Sequence, residues 1–316
     1  NRIIDPTIPI EEMLEDPVQK LYQLDRIPHP KIPLPRDIYG AGRKNSQGID
    51  FADSETWEPL AGQIESAAKK SYSAGPLING VLEAGEKTRA IGNPANPQQI
   101  VGHVSLASAE QLEQAISNAH QRNFSWANTP IETRAACLER AADLFEQRLS
   151  EFMALAIKEG GKTLNDALAE VREAVDFCRY YAMRARLDLM PQLLPGPTGE
   201  ENWLSFQGRG VIACISPWNF PLAIFIGQVT AALVTGNTVI AKPASQTPLI
   251  ATAAVQLLHE AGIPGDVLQL LPASGAVIGP KITFDPRIKG IVFTGSTETA
   301  REINQGLANR EGGILP

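Results

Sequence analysis

The sequence predicts an α/β protein built on a doubly wound parallel sheet. Three observations carry this expectation. Short apolar or β-branched runs recur from residue 211 onward, each is followed by a helical pattern, and turn residues separate the two. That alternation marks βαβ units.

Val211–Ile215 is an unbroken apolar run, read as a buried first strand, and Ser216-Pro217-Trp218-Asn219-Phe220-Pro221 stops it with a rigid turn. Pro221 opens an apolar helical run to about Leu233, which Gly236-Asn237 ends. Thr238–Ala241 is a short second strand running into Lys242-Pro243-Ala244-Ser245. Thr247-Pro248 starts a helix, since proline fits a first helical turn, and Gly262-Ile263-Pro264-Gly265 ends it. Val267–Leu271 is the third strand, 274–281 a short helix or turn, and Ile288–Phe293 the fourth strand. Thr294-Gly295-Ser296-Thr297 leads into a last helix.

Upstream, helices are expected over 108–122, 131–158 and 163–186. Ser108 is a candidate N-cap with Glu110-Gln111 in its first turn, and Gly160-Gly161 ends the second helix. Their apolar stripes (Leu138, Ala142, Phe145 and Leu149 on one, Leu164, Leu168, Val171 and Val175 on the next) read as core faces without chemistry. Residues 191–210, around Trp203-Leu204-Ser205-Phe206, read as an exposed loop and an edge strand that could pair with another chain. The proline-rich stretch 28–36 reads as an extended connector.

Composition narrows the function classes. A formal net charge of −7 makes duplex nucleic acid an unsuitable partner for this stretch. The 3 cysteines form no C-x-x-C pair, and the 4 histidines, at 29, 103, 120 and 259, lack metal-ligand spacing. No apolar run reaches the ~18 residues of a membrane span, and no signal peptide is present. These features point to a soluble, cytoplasmic protein with no metal.

The strand ends carry the candidate chemistry, because ligands of open α/β sheets bind at the carboxyl ends of the strands. Asn219 either donates to an oxygen that gains charge during a reaction or satisfies only backbone groups of its own turn. Lys242 either reaches ribose hydroxyls or phosphate, or is a solvated strand-end lysine. Gly295-Ser296-Thr297 either nests an anion such as pyrophosphate or is an ordinary helix cap. It is not a G-x-G-x-x-G fingerprint. An amide, an ammonium and an anion nest on three strand ends together favour a dinucleotide.

Pro217-Trp218-Asn219-Phe220-Pro221, then Lys242-Pro243-Ala244-Ser245, then Phe293-Thr294-Gly295-Ser296-Thr297-Glu298 resemble, in order and separation, the successive signatures of the aldehyde dehydrogenase superfamily. Asn93-Pro94-Ala95-Asn96-Pro97 with Ile100-Val101-Gly102 resembles that family's first β-hairpin, and the likeness covers about residues 76–316. Asn1-Arg2-Ile3-Ile4-Asp5 and His29–Asp37 resemble the connecting arm of the bacterial proline utilization A family. Those bifunctional flavoenzymes join a proline dehydrogenase barrel to an L-glutamate-γ-semialdehyde dehydrogenase. The resemblance implies that residues 1–75 follow such an FAD-binding barrel, which would lie upstream.

The resemblance also implies roles. Asn219 would be the side-chain half of the oxyanion hole for an aldehyde substrate. Lys242 would hold the adenosine ribose of NAD, with Ala244 and Ser245 beside it, and Ser296 behind Gly295 would meet the pyrophosphate. Ile215, Ser216, Pro217 and Trp218 would line the nicotinamide half, and Phe220 would wall the aldehyde slot. Glu170 resembles an acidic residue near the substrate. Many relatives carry Glu at the position of Ser245, where a carboxylate binds ribose hydroxyls and repels a 2′-phosphate; the proline-catabolic relatives favour NAD. The region from 191 would begin a hairpin used in oligomers, and the parent enzyme would be open to peripheral membrane association.

The family's chemistry needs a cysteine thiolate and a glutamate that activates water. Cys137, Cys178 and Cys214 all read as buried and structural. The nucleophile would therefore lie well beyond Phe293–Ser296 and the glutamate shortly after Pro316, so this stretch alone is expected not to complete turnover. Two other readings stay open. One is a non-catalytic dinucleotide-binding or interaction module. The other is an acyl-transferring enzyme or reductase, separated from the first reading by whether a free aldehyde is the substrate.

Overall fold

Four parallel strands in a row place the candidate site. They are β8 (Val211–Ile215), β9 (Thr238–Lys242), β10 (Leu268–Leu270) and β11 (Ile288–Phe293), in the order β11-β8-β9-β10. The computed structural model describes residues 7–25, 29 and 31–311. It divides into two units at Asn45/Ser46.

The first unit holds α1 (Ile10–Met13) and α2 (Pro17–Tyr22), neither of which buries a residue. Asp16 caps α2 by accepting from the Val18 N–H. Short 3-10 turns follow at Pro35–Asp37 and Gly40–Gly42, and the Arg43 guanidinium lies 4.0 Å above the Tyr39 ring. Residues 1–5 of the arm motif, and Pro30, lie outside the described residues.

The expected arm, 1–75, divides at this boundary. Residues from Ser46 onward belong to the second unit, because they bury side chains in it. The Ser46 N–H and hydroxyl donate to Asp176 at 2.8 and 2.7 Å. Helix α3 (Ser54–Ala68), capped by Asp53, buries Leu60, Ile64 and Ala67.

The second unit continues with β1 (Tyr72–Ala74), β2 (Leu77–Ile78), β3 (Val81–Leu82), β4 (Lys87–Asn93) and β5 (Asn96–Leu106). Strands β1, β5 and β4 form a separate three-stranded sheet in that order, with the β4–β5 pair antiparallel. Beyond β10 the main sheet continues with β2, antiparallel to β10, and then β3, antiparallel to β2. The sheet is thus parallel in its four-strand heart and mixed at one edge. Asn79-Gly80, with φ angles of 53° and 79°, makes the tight two-residue turn that reverses β2 into β3. Gly265 packs flat on that turn, where a Cβ would meet the Asn79 carbonyl carbon at 2.3 Å.

Next come α4 (Ala109–Ala127), α5 (Ile131–Gln147), α6 (Leu149–Lys158) and α7 (Leu164–Asp188). Ser108 and Gln111 close a capping box at the start of α4. The helix expected over 131–158 is two helices that meet at Arg148, which leaves the helical region at ψ 24°. The break turns α6 so that Phe152 meets Phe145 edge-on, with centroids 4.8 Å apart. It also frees Arg148 to pair with Glu151 and Glu260. Hairpin β6 (Gln192–Leu194) and β7 (Asn202–Leu204) follows, with every residue exposed.

Helices α8 (Ala223–Val234), α9 (Pro248–Glu260), α10 (Gly275–Phe284) and α11 (Thr297–Ala308) complete the wound layers. Strand alternation sorts the core into two faces. Ile212, Cys214, Val239 and Ala241 pack with α5, α7, α8 and α9, while Val211, Ala213 and Ile240 pack with α4 and α10. That is the doubly wound arrangement expected from the alternation of strands and helices. Among the described residues no helix is long and apolar enough to cross a membrane.

Two buried carboxylates fix the starts of α8 and α9. Glu170 on α7 accepts from the Leu222 and Ala223 N–H groups at 3.2 and 3.0 Å. Glu159, just past α6, accepts from Leu249 and Ile250 at 2.7 and 2.8 Å. Burial pushes the Glu159 carboxyl up to about 8, outweighing the two amides that favour its charged form. The folded state therefore holds a proton there that the unfolded chain, with the ordinary value of 4.5, releases. Stability from this group is present below that value and is lost as pH rises toward 8. Chemical denaturation of the wild type from pH 5 to 8 should show a loss on the order of a few kcal/mol relative to Glu159→Gln. Parallel pH curves for the two proteins would contradict this.

Candidate dinucleotide and aldehyde site

The register of the parallel strands assembles the site. Ile215 pairs with Lys242 on one side and Phe293 on the other, so three signature segments leave the sheet at one level. The Ser216 N–H donates to the Lys242 carbonyl at 3.2 Å, and the Thr294 N–H donates to the Ile215 carbonyl at 3.1 Å. Ile215 and Ser216 are buried, whereas Trp218, Asn219 and Phe220 stand exposed beyond the strand end. Among the described residues the Asn219 carboxamide makes no hydrogen bond to its own turn. Its N–H groups are open to a ligand.

Lys242 is buried, and its ammonium donates to the Pro243 carbonyl at 3.1 Å. Two further donors remain, and burial lowers the lysine below its ordinary range. Ala244 is buried and Ser245 half-buried beside it. The Arg89 guanidinium, from β4, donates to the Ser245 carbonyl. Gly275, at the start of α10, faces the lysine stem: a Cβ there would come 4.0 Å from Lys242 Cε.

The helix starts at the strand ends differ in whether their first amides are already taken. The amides opening α8 and α9 are taken by Glu170 and Glu159. At α11 the Ser296 hydroxyl accepts from the Thr299 N–H at 3.2 Å, and the amides of the first turn point outward from exposed Gly295, Ser296 and Thr297. Gly295 is required by close approach, since a Cβ would lie 2.5 Å from the Phe293 ring. The Ser296 hydroxyl also bonds the Thr299 hydroxyl, so the donors here are an ammonium and a helix start, a set that suits an anionic cofactor.

Glu170, expected from the resemblance near the substrate, is fully buried rather than exposed on its helix. Its side chain is 0% exposed, and its second carboxylate oxygen lies 3.1 Å from the Lys162 ammonium. Lys162 in turn sits 4.0 Å above the Phe220 ring. Glu170 thus connects to Phe220 through Lys162 and to the start of α8 through its amides. Sequence reasoning also missed Lys162; the signal was the Gly160-Gly161 turn, which bends the chain at φ 68° and brings the lysine over Phe220. Gln228 was missed too: it lies buried in α8 and donates to the Thr294 hydroxyl at 3.0 Å. Nothing in an apolar helical run singles it out.

None of the three cysteines is placed for nucleophilic work. Cys137, Cys178 and Cys214 are buried at 2%, 0% and 0% exposure. Burial pushes the Cys178 thiol up to about 12 and raises Cys137 and Cys214 as well, so none holds a thiolate near neutrality.

A parallel sheet whose strand ends present an amide, a lysine and an open helix start defines a dinucleotide-binding α/β protein. The aldehyde dehydrogenase family model matches residues 81–312, and the chain belongs to that family. It is 44% identical over 316 residues to the bifunctional protein PutA of Escherichia coli K12, which covers 98% of this chain and 23% of that protein. It is 39% identical over 272 residues to 1-pyrroline-5-carboxylate dehydrogenase 2 of Bacillus subtilis, covering 85% of this chain and 53% of that one. The solved 1-pyrroline-5-carboxylate dehydrogenase from Thermus with bound NAD superposes with a TM-score of 0.80 at 32% identity, over 86% of this chain and 52% of that one. The chain therefore spans about a quarter to a half of the length of these relatives.

A thiol reagent such as dithionitrobenzoate should label none of the three cysteines of the folded chain at pH 7.5 and all three in urea. Stoichiometric labelling of the native protein would overturn the assignment of these residues as structural.

Proposed function

We propose that this chain forms the NAD-binding portion of an L-glutamate-γ-semialdehyde dehydrogenase. In this reading it belongs to a bifunctional proline-catabolic enzyme of the cytoplasm whose upstream barrel carries FAD and oxidises proline. The observation that carries the reading is the free Asn219 carboxamide at the end of β8, level with Lys242 and Phe293. Relatives named PutA and 1-pyrroline-5-carboxylate dehydrogenase support the substrate class.

NAD, when bound, supplies the hydride acceptor. Lys242 donates from its free N–H groups to the adenosine ribose, and Ala244 and Ser245 border it. Ser296 and the first amides of α11, behind Gly295, receive the pyrophosphate. Ile215, Ser216, Pro217 and Trp218 line the nicotinamide half. Asn219 donates to the aldehyde oxygen, a bond that strengthens as that oxygen gains negative charge on thiol addition. Phe220 walls the aldehyde slot. Its ring is held by the Lys162 ammonium, and Glu170 fixes that ammonium and the start of α8 together. We assign Glu170 to positioning and not to substrate contact. The thiolate of the reaction is none of Cys137, Cys178 or Cys214.

The β6–β7 hairpin is the proposed contact with a second copy of the chain. Leu193 and Trp203 form a cross-strand pair, exposed at 58% and 57%, on a two-stranded sheet too small to be stable alone.

Asn219→Ala in the full enzyme should lower kcat for aldehyde oxidation by about 10²–10³-fold, with NAD affinity, measured by fluorescence quenching, unchanged. A variant that keeps full kcat would remove the oxyanion role. Trp203→Asp should shift the oligomer toward monomer in analytical ultracentrifugation at micromolar concentration. An unchanged sedimentation coefficient would exclude the hairpin as the contact.

A further inference from the structure

A second cleft, of about 480 Å³, opens at the opposite end of the sheet from the candidate site. Asp266 precedes β10, and the Asn79-Gly80 turn follows β2, which runs antiparallel to it, so both lie at the amino end of β10. The facing wall is α4, which brings Asn118, Gln121, Arg122 and Ser125 to the cleft at helical spacing. Buried Gln269 holds the loop wall in place. Its Oε1 accepts from the Asn79 N–H at 2.9 Å, and its Nε2 donates to the Gly265 carbonyl at 3.0 Å.

Every side chain lining the cleft is polar, and few of their groups are used. Arg122 Nε lies 3.4 Å from one Asp266 carboxylate oxygen but makes no hydrogen bond, and the buried Asn118 Nδ2 meets no acceptor. Among the described residues the side-chain amides of Asn79 and Gln121 pair with none, and the second Asp266 oxygen accepts no hydrogen bond. Arg122 and Asp266 are 40% and 41% exposed, so a solute reaches both. Their charges select it. A lone anion would meet Asp266, and a lone cation would meet Arg122. An apolar group would strip water from polar walls and return nothing. A zwitterion satisfies both ions at once: its carboxylate takes the terminal N–H groups of the Arg122 fork, and its ammonium takes the second Asp266 oxygen. We propose that this cleft is a second small-molecule site and binds an α-amino acid whose side chain carries a hydrogen-bond acceptor. The Asn79, Asn118 and Gln121 amides donate to that side chain. Nothing in the cleft depends on the dinucleotide or aldehyde assignment.

Saturation-transfer NMR titrations of the full chain with L-glutamate, and with glutarate, which lacks the ammonium, read this directly. L-glutamate should bind with a millimolar dissociation constant and about tenfold more tightly than glutarate, the size of one charge-assisted contact. Arg122→Ala, at a half-exposed position on α4, should weaken both ligands by at least about tenfold. Asp266→Asn should bring the two within about twofold of each other, weakening glutamate and relieving glutarate of a like charge. Equal affinities in the unsubstituted chain would overturn the proposal. So would glutamate binding that survives Arg122→Ala, which would put the ligand elsewhere, or absence of saturation transfer up to about 20 mM ligand.

Discussion

A helix buried on all sides cannot leave its terminal amides and carbonyls to water, and the site depends on how α8 meets that demand. Nearly every residue of α8 is buried, so its first amides and last carbonyls need partners from inside the protein. Glu170 supplies the acceptor at the start. At the other end, Trp126 donates from its indole to the Leu233 carbonyl at 3.0 Å, and Arg134 donates to the Val234 carbonyl at 2.9 Å. Asn237 closes the exit by donating to the Ala232 carbonyl and accepting from the Arg209 and Gly210 N–H groups. The helix is clamped at both ends by groups from α4, α5 and α7. The turn from Ser216 to Pro221 is therefore held between a strand end and a fixed helix start.

The same demand, met again at α9 by Glu159, shapes what the site can bind. Open α/β sheets commonly offer an anion the helix start that follows the first strand. Here the amides at that position and the next are already taken by the protein's own side chains, Glu170 and Glu159. Among the described residues, the starts of α10, where Ser274 makes no side-chain cap, and of α11 meet no such carboxyl group. A carboxyl group that caps a helix start also takes the amides an anion would use.

Phe220 shows how scaffold and slot share parts. Lys162 uses one face of its charge on Glu170 and another on the Phe220 ring. The chain reaches that point because Gly160 and Gly161 turn it tightly against Pro221, where a Cβ on Gly160 would lie 3.5 Å from the ring. Residues that touch no reacting atom thus fix the wall of the slot.

Much of this was legible in the chain. Uniform apolar runs such as Val211–Ile215 could only be strands buried on both faces, and Pro, Gly and Asn set the borders of α8 and α9 within a few residues. The order of the strand-end segments carried the family likeness, and with it Asn219, Lys242 and Ser296. The break at Arg148 was not legible, because the apolar stripe of 131–158 runs through it and only packing of Phe152 on Phe145 rewards the bend. Nor was the fate of Glu170: an acid on an amphipathic helix looks the same whether solvent or two amides of another helix face it. The Asn79-Gly80 hairpin signal stood in the sequence, but its antiparallel place beside β10 did not. Sequence by itself determined local conformation and the residue types at each strand end, since these follow from backbone preference and periodicity. Only the tertiary structure decided which polar groups meet, because a hydrogen bond such as that of Arg89 to Ser245, or of Glu159 to Leu249, joins residues that no local rule relates.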